Sequence, residues 1–387
     1  MCEEVVTCPS PMDCIGCLAC FQGCPYQARE LIEDERTREK IRISVDGKEI
    51  EVPERITVRK ALEIAGLSFG IYPGEGDVQA PCRTGGCYSC VVMADGKAIR
   101  SCVSPVSEGM EIRTELPKHY TPRRIIHGPQ PHSVGGKATP WWLKGGRYIE
   151  VAIWTGGCNL RCPQCQNFTT TYDGRSASLS PKEAADLVTR ARRRAGVDRM
   201  AISGGEPTLN RPWLIEYFKE LRTLNPDPNA RFHLDSNGTI LTEDYIDELI
   251  LEAGITDIGI EPKGVKPKTF MRITGIENEN LARKYLKTAW EAIAYVVSNY
   301  KERVFLGVGL PYNSALIELD EVREFGKRLA EIDPSVQLCV LDYFPTFRRR
   351  DIKRPHPLEM LRVKRTLEQA GLKTVIVQTS IGHIGPG

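Results

Sequence analysis

The sequence predicts an α/β protein: a full or partial (βα) barrel over residues 148–387, preceded by a small β-rich domain over 40–116 and a cysteine-rich segment over 1–36. Three observations predict it. From Tyr148 to the C-terminus, strand-like and helix-like stretches alternate strictly, the pattern of a parallel sheet with crossover helices. Short alternating runs bounded by turn residues fill positions 40–116. Fourteen cysteines stand in a chain of 387 residues, and eleven of them fall into three tight groups.

Residues 1–36 hold six cysteines and too few apolar residues for a core, so a bound cluster must organise them. In the β-rich domain Ile41–Val45 reads as a strand, Asp46-Gly47 as a hairpin turn and Glu49–Val52 as the returning strand. Val58–Ala65 is a short helix ended by Gly66. Residues 117–147 contain five prolines, several glycines and no periodicity, which marks a linker or an extended arm packed over the next domain. The barrel strands are Ile149–Trp154, Met200–Ser203, Arg231–Asp235, Asp257–Glu261, Val304–Gly309, Gln337–Asp342 and Thr374–Gln378. Amphipathic stretches lie between them: Pro181–Arg194, Trp213–Leu224, Asp244–Ala253, Glu279–Asn299, Leu319–Glu331 and Leu358–Ala370. Ser180 and Glu183 form a capping box with Pro181 at the first helical position.

Hydrophobic residues make up 41% and charged residues 26%, ordinary for a globular chain. A net charge of +2 gives no strong field for nucleic acid or an anionic membrane. No run of about 18 apolar residues offers a transmembrane helix, and the N-terminus lacks the order of a signal peptide. A cytoplasmic location is therefore expected. Tightly spaced cysteines without an export signal point to metal centres rather than disulfides. The groups run Cys14 to Cys24, Cys82 to Cys102 and Cys158 to Cys165, leaving Cys2, Cys8 and Cys339 outside.

Cys158-x3-Cys162-x2-Cys165 follows the first barrel strand directly. Three thiolates hold three irons of a 4Fe–4S cube and leave the fourth open to bind a substrate, much as a catalytic zinc keeps an open position. A zinc site is the alternative, and it lacks an obvious fourth ligand here. The stretch resembles the signature of the radical S-adenosylmethionine (SAM) superfamily, which implies a barrel of the radical SAM type. In that family the cluster passes an electron to SAM, releasing methionine and a 5′-deoxyadenosyl radical. Gly204, Gly205, Glu206 and Pro207 follow the second strand and resemble the family's motif for the SAM amino group.

The resemblance extends over residues 148–380 to glycyl-radical-enzyme activases and the radical SAM proteins of the AmmeMemoRadiSam system. Gln166-Asn167, Asp235-Ser236-Asn237-Gly238, Glu261-Pro262-Lys263, Ile273-Thr274-Gly275, Asp342-Tyr343-Phe344-Pro345 and Gly371–Val377 carry it, with Glu261 where those proteins have Asp. It implies that Lys263 contacts SAM and that Asn237 lies nearby. A plain turn at Asn237-Gly238 and a solvated lysine at 263 are the structural alternatives.

Cys82-x4-Cys87-x2-Cys90-x11-Cys102 begins with the plant-type 2Fe–2S spacing. Its short last gap resembles the 2Fe–2S domain of succinate dehydrogenase and fumarate reductase iron–sulfur subunits, which implies a β-grasp ferredoxin-like domain; zinc on the same four cysteines is the alternative. Cys14-x2-Cys17-x2-Cys20-x3-Cys24-Pro25 resembles the bacterial ferredoxin run for a 4Fe–4S cluster. Its fourth ligand is Cys24 or Cys8. Cys2 is read as unligated and Cys339 as a core residue.

The expected cofactors are thus two 4Fe–4S clusters, one 2Fe–2S cluster and SAM. The expected function is hydrogen abstraction from an unidentified substrate, with the accessory clusters relaying electrons from an external low-potential donor or, for the first, serving structure alone. By resemblance a glycyl radical enzyme or another protein is one substrate. A radical SAM oxidoreductase or modifying enzyme for a small molecule or peptide is the alternative, and an electron-transfer iron–sulfur protein a third reading. His383 beyond the last strand is either near the site or in a frayed end. Arg192-Arg193-Arg194 and Arg348-Arg349-Arg350 read as solvated faces, and His119, His127 and His132 show no metal-ligand spacing.

Overall fold

A computed structural model describes residues 13–143 and 146–386. Cys2 and Cys8 lie outside the described residues, and with them the alternative fourth ligand of the first cluster.

The N-terminal segment holds one short helix, α1 (Ala19–Gly23). The next domain contains β1 (Lys40–Val45), β2 (Lys48–Pro53), α2 (Val58–Ile64), β3 (Phe69–Gly70), β4 (Val78–Gln79), β5 (Val91–Ala94), β6 (Lys97–Arg100) and β7 (Glu111–Arg113). Its main sheet has the order β2-β1-β7-β5-β6, with β1 and β7 parallel and the hairpins antiparallel. Asp46 (φ 50°) and Gly47 (φ 82°) make the first hairpin turn, whose type needs positive φ at both positions. Thr57 caps α2 by accepting from Lys60 N. Val52, Val58, Leu62, Val92 and Ile112 form this domain's own buried core.

Beyond it come β8 (Arg124–His132), β9 (Glu150–Thr155), α3 (Phe168–Thr171), β10 (Ser178–Leu179), α4 (Pro181–Ala195), β11 (Arg199–Gly204), α5 (Arg211–Leu224), β12 (Arg231–Ser236), α6 (Glu243–Asp247), β13 (Asp257–Ile260), α7 (Pro267–Thr274), α8 (Glu279–Tyr300), β14 (Phe305–Tyr312), α9 (Leu319–Ile332), β15 (Gln337–Asp342), α10 (Pro357–Gln369), β16 (Val375–Thr379) and β17 (Gly382–Ile384). Strands β9, β11, β12, β13, β14, β15 and β16 run parallel in that order. The sheet stays open, with β8 and β10 added antiparallel at one edge and β17 at the other, so the barrel is partial.

The capping box at Ser180 and Glu183 is formed as the sequence predicts. Three local readings change. The stretch read as a helix over 244–253 is α-helical only to Asp247, after which Glu248–Glu252 widens into a π-turn closed by Ala253 N to Glu248 O. Helix α7, whose eight residues are too short for a period to stand out, was not foreseen. In the stretch read as linker or arm, β8 pairs along β9 and so belongs to the large sheet. Among the described residues no helix is long and apolar enough to cross a membrane.

Candidate active site

Five loops leave the C-terminal ends of the parallel strands on the same side, where barrels of this kind place their chemistry. The turn after β9 carries Cys158, Cys162 and Cys165; those after β11, β12, β13 and β15 carry Gly205-Glu206, Asn237, Lys263 and Tyr343. All of these line one cavity of about 170 Å³, together with Gln166, Asp235, Glu261 and Lys137. Burial pushes the thiols of Cys158 and Cys162 up to about 12 and Cys165 to about 11, so thiolates there need a cation beside them. Donors already face the sulfurs: Leu160 N at 3.4 Å and Asn237 Nδ2 at 3.8 Å from Cys158 Sγ, and Thr171 Oγ1 at 3.7 Å from Cys165 Sγ.

The Gly204–Pro207 turn is tied to this loop by its backbone. Gly205 N donates to Thr155 O at 2.8 Å and Glu206 N to Gly157 O at 2.9 Å. The Glu206 carboxylate, 1% exposed, accepts from Thr208 N, Thr208 Oγ1, Ser236 Oγ and Asn237 N. It thereby locks the second turn to the third, while Asn237 Nδ2 also reaches Asn159 Oδ1 at 3.1 Å. Asn237 is a joint between loops, not a plain turn residue.

Lys263 is buried, with φ 67°, a backbone conformation a side-chain-bearing residue seldom holds without compensation. Its ammonium bonds Glu261 Oε1 and reaches Tyr343 Oη at 3.1 Å. Burial opposes its charge, but Glu261 and Tyr343 hold its pKa well above the usual lysine value. The solvated-lysine reading is thereby overturned.

Lys137 is the residue that sequence reasoning missed. After β8 the chain turns inward and lies across the inner face of the sheet, where Gln337 Nε2 donates to Lys137 O and Thr139 O, both at 2.9 Å, and Arg199 Nη2 to Ala138 O. Gly307 and Gly309 make room for it: a Cβ on the first would lie 2.1 Å from Lys137 O, and on the second 2.4 Å from Lys137 Cδ. Lys137 Nζ then sits 3.4 Å from Asp235 Oδ1 and 3.7 Å from Glu261 Oε2 on the cavity floor. Behind them His233 is fully buried, and Asp235 and Glu150 raise its pKa against the effect of burial. The available signal was the pair of glycines inside a strand, which marks close backbone approach.

The Cys82–Cys102 loop packs directly on the Cys158 loop. Cys82, Cys87, Cys90 and Cys102 are all buried, and Cys82 touches Cys87 as Cys90 touches Cys102. Two thiol pairs match the two irons of a 2Fe–2S core. Arg161, within the C-x3-C segment, donates to Cys158 O and, across the domains, to Cys82 O at 2.6 Å. Asn210 Nδ2 reaches Cys87 O and Ser89 Oγ reaches Leu209 O. Among the described residues no three His, Cys, Asp or Glu side chains close on a point as a lone ion requires.

A radical SAM superfamily profile matches residues 152–322, and a profile for the 2Fe-2S iron-sulfur cluster binding domain matches residues 38–117. The chain carries a radical SAM domain behind a 2Fe–2S ferredoxin-type domain. Similar curated proteins include the GTP 3′,8-cyclase of Pasteurella multocida (strain Pm70), 28% identical over 37% of this chain and 41% of that protein. That of Haemophilus influenzae (strain PittGG) is 26% identical over 51% of this chain and 54% of its own. The chain therefore spans about half or less of the curated relatives it matches. Solved structures of similar shape include anSMEcpe with bound AdoMet (18% identity, TM-score 0.37, 55% of each chain) and the FeFe-hydrogenase maturase HydG from Carboxydothermus hydrogenoformans (16%, TM-score 0.43, 57% of this chain and 51% of that one).

The radical SAM domain also receives the N-terminal segment. Cys14, Cys17 and Cys20 line one cavity, and burial together with the neighbouring Cys20 and Cys14 raises the Cys17 thiol. Cys24 is buried outside that lining, its sulfur accepting from Ala28 N at 3.4 Å. Arg348 is no solvated residue: its guanidinium holds the carbonyls of Phe21, Gln22 and Cys24, while its own N donates to Pro163 O in the Cys158–Cys165 loop. Arg192 is likewise buried, bonded to Val197 O, Asn225 and Asp227. His383 lies on β17 beside Cys339 in a separate cavity, away from the cysteine loop. His127 sits 2.7 Å from Asp173 and His132 3.9 Å from Glu150, and neither lines the cysteine cavity.

Within the radical SAM domain the Lys263 position is directly testable. Removing a charge-assisted hydrogen bond costs about 1.5–3 kcal/mol, roughly ten- to a hundredfold in affinity. Lys263→Ala is expected to weaken SAM binding by that factor in equilibrium titration with iron content unchanged. Wild-type affinity in the variant would show that Lys263 acts only through Glu261 and Tyr343.

Proposed function

We propose that the protein is a radical SAM enzyme that cleaves SAM reductively and abstracts hydrogen from a small polar substrate. The observation that carries this reading is the convergence of Cys158, Cys162, Cys165, Glu206, Asn237, Lys263 and Lys137 on one cavity. Cys158, Cys162 and Cys165 would hold a 4Fe–4S cluster, which when bound would supply the electron for reductive cleavage of SAM. Asn237 and Leu160 N orient and polarise the Cys158 sulfur, and Gln166, whose buried Nε2 has no protein partner, lines the same cavity as a donor for a ligand. Lys263 receives the carboxylate or ribose of SAM. Lys137 and Asp235 on the floor favour a substrate with charged or strongly polar groups over the backbone of a glycyl radical protein, which stands as the second reading.

Cys14, Cys17 and Cys20, with Cys24 or Cys8 as fourth ligand, for a 4Fe–4S cluster, and Cys82, Cys87, Cys90 and Cys102 for the 2Fe–2S cluster, would serve electron delivery from an external low-potential donor. Reconstituted protein given SAM and dithionite is expected to yield 5′-deoxyadenosine and methionine, and absence of both sinks the reading. Cys90→Ser is expected to lower turnover driven by a protein donor by about tenfold or more, the effect of a 59 mV loss on a one-electron couple. Dithionite-driven turnover should persist, because that reductant reaches the catalytic cluster directly. Equal loss with both reductants would assign the 2Fe–2S domain a structural role.

A further inference from the structure

Arg124, on strand β8, is fully buried, yet its guanidinium has no carboxylate within ion-pair distance among the described residues. Its terminal nitrogens donate to three backbone carbonyls, those of Pro207, Glu206 and Gly156, and its Nε has no partner at all. The Glu206 carboxylate acts on the guanidinium through space but makes no ion pair with it, its oxygens accepting from four donors of their own. A buried charge left without a counter-charge is strongly unfavourable, so a fold that keeps one ordinarily supplies its opposite nearby. Besides Glu206, the anionic groups that a bound centre would place nearby are the thiolates of the 2Fe–2S loop. Gly156, whose carbonyl Arg124 holds at 3.1 Å, packs on Gly86, the residue before Cys87, so the guanidinium lies one backbone contact from the 2Fe–2S loop. A second guanidinium, that of Arg161, reaches the same loop at Cys82 O.

We propose that Arg124, seconded by Arg161, is the counter-charge to the 2Fe–2S centre and sets its reduction potential. The inference rests on the 2Fe–2S assignment made above. Four thiolates outweigh the positive charge of a two-iron, two-sulfide core, so the bound cluster is anionic when oxidised and gains one more negative charge with one electron. A fixed cation in a dry site stabilises the reduced form more than the oxidised one, and net charge and surroundings are what tune such potentials. No proton moves at either arginine in this step. The effect raises the potential of the 2Fe–2S centre, making it easier for an external donor to fill.

The test is a redox titration of the reconstituted full chain, following the reduced 2Fe–2S electron paramagnetic resonance signal at a temperature where 4Fe–4S signals have relaxed away. Arg124→Gln, which keeps donors but no charge, is expected to lower the reduced-to-oxidised ratio at fixed potential at least tenfold, a shift of about −59 mV for one electron. Arg124→Lys keeps the charge and should move less than half as far, and Arg161→Gln should shift in the same negative direction. An unmoved potential in Arg124→Gln, or an equal shift in Arg124→Lys, overturns the proposal and identifies Arg124 as a backbone clamp. Should Arg124→Gln fail to fold with its cluster, Arg161→Gln decides, and a wild-type potential there overturns the proposal. Absence of any 2Fe–2S signal from wild-type protein would overturn the underlying assignment too, whereas a signal with unmoved potentials overturns this inference alone.

Discussion

Cys162→Ala is expected to abolish formation of 5′-deoxyadenosine from SAM while the visible spectrum of the 2Fe–2S centre stays intact. Cys162 is the middle thiol of the three that line the cavity, and a cube held by only two thiolates has lost the arrangement that leaves a single iron open. The neighbouring charges explain why no other side chain substitutes. Burial pushes the Cys162 thiol up to about 12, partly offset by Lys263. The carboxylates closest to the site are already engaged, Glu206 by four donors and Glu261 by Lys263. The 2Fe–2S cysteines belong to another loop, joined to this one through Arg161 and backbone atoms rather than through Cys162. Chromatographic measurement of 5′-deoxyadenosine with dithionite, alongside absorption spectra, checks both halves. Undiminished product from the variant would mean that this loop does not hold the reacting centre.

The second large effect is expected at Gly86. A Cβ there would lie 2.4 Å from Gly157 N and 2.6 Å from Gly156 C, both backbone atoms with no flexible end to swing aside. The reverse holds as well, since a Cβ on Gly157 would lie 2.6 Å from Cys87 N. Overpacking of a close contact costs about 1–3 kcal/mol and more where backbone must move. Gly86→Ala therefore either separates the two cysteine loops or distorts the Cys82–Cys90 turn. The expected outcome is a lowered melting temperature and a loss of about tenfold or more in protein-donor-driven turnover, the size of a 59 mV change on one electron. Turnover with dithionite should fall much less. Gly174→Ala, whose Cβ would meet nothing nearer than Thr84 O at 3.9 Å, is the control and should behave as wild type. Unchanged donor-driven turnover in Gly86→Ala would show that electrons do not pass between these loops.

Much of the candidate site was legible because its chemistry is local. Ligands to one cluster come from thiolates a few residues apart, so Cys158, Cys162 and Cys165 announce themselves by spacing, as do the four cysteines from Cys82 to Cys102. Strand and helix periods are equally local, and the seven parallel strands with the helices between them could be read along the chain from alternation. The capping box at Ser180 and the turn at Asp46-Gly47 stand for the same reason: both are satisfied within four residues.

What the sequence by itself determined is therefore the order of the modules, the succession of strands and helices and the cysteine groups, all carried by local pattern and spacing. The tertiary structure alone decided that the sheet stays open, because closure depends on how β8, β10 and β17 occupy its edges. It alone decided that a stretch of prolines and glycines enters the sheet and brings Lys137 beneath the cysteines, since that position depends on Gly307, Gly309 and Gln337 far along the chain. Arg124 and Arg161 became meaningful in the same way, through carbonyls some eighty residues distant. A buried cation carries no local signal, because its surroundings are assembled only when remote segments pack and exclude water.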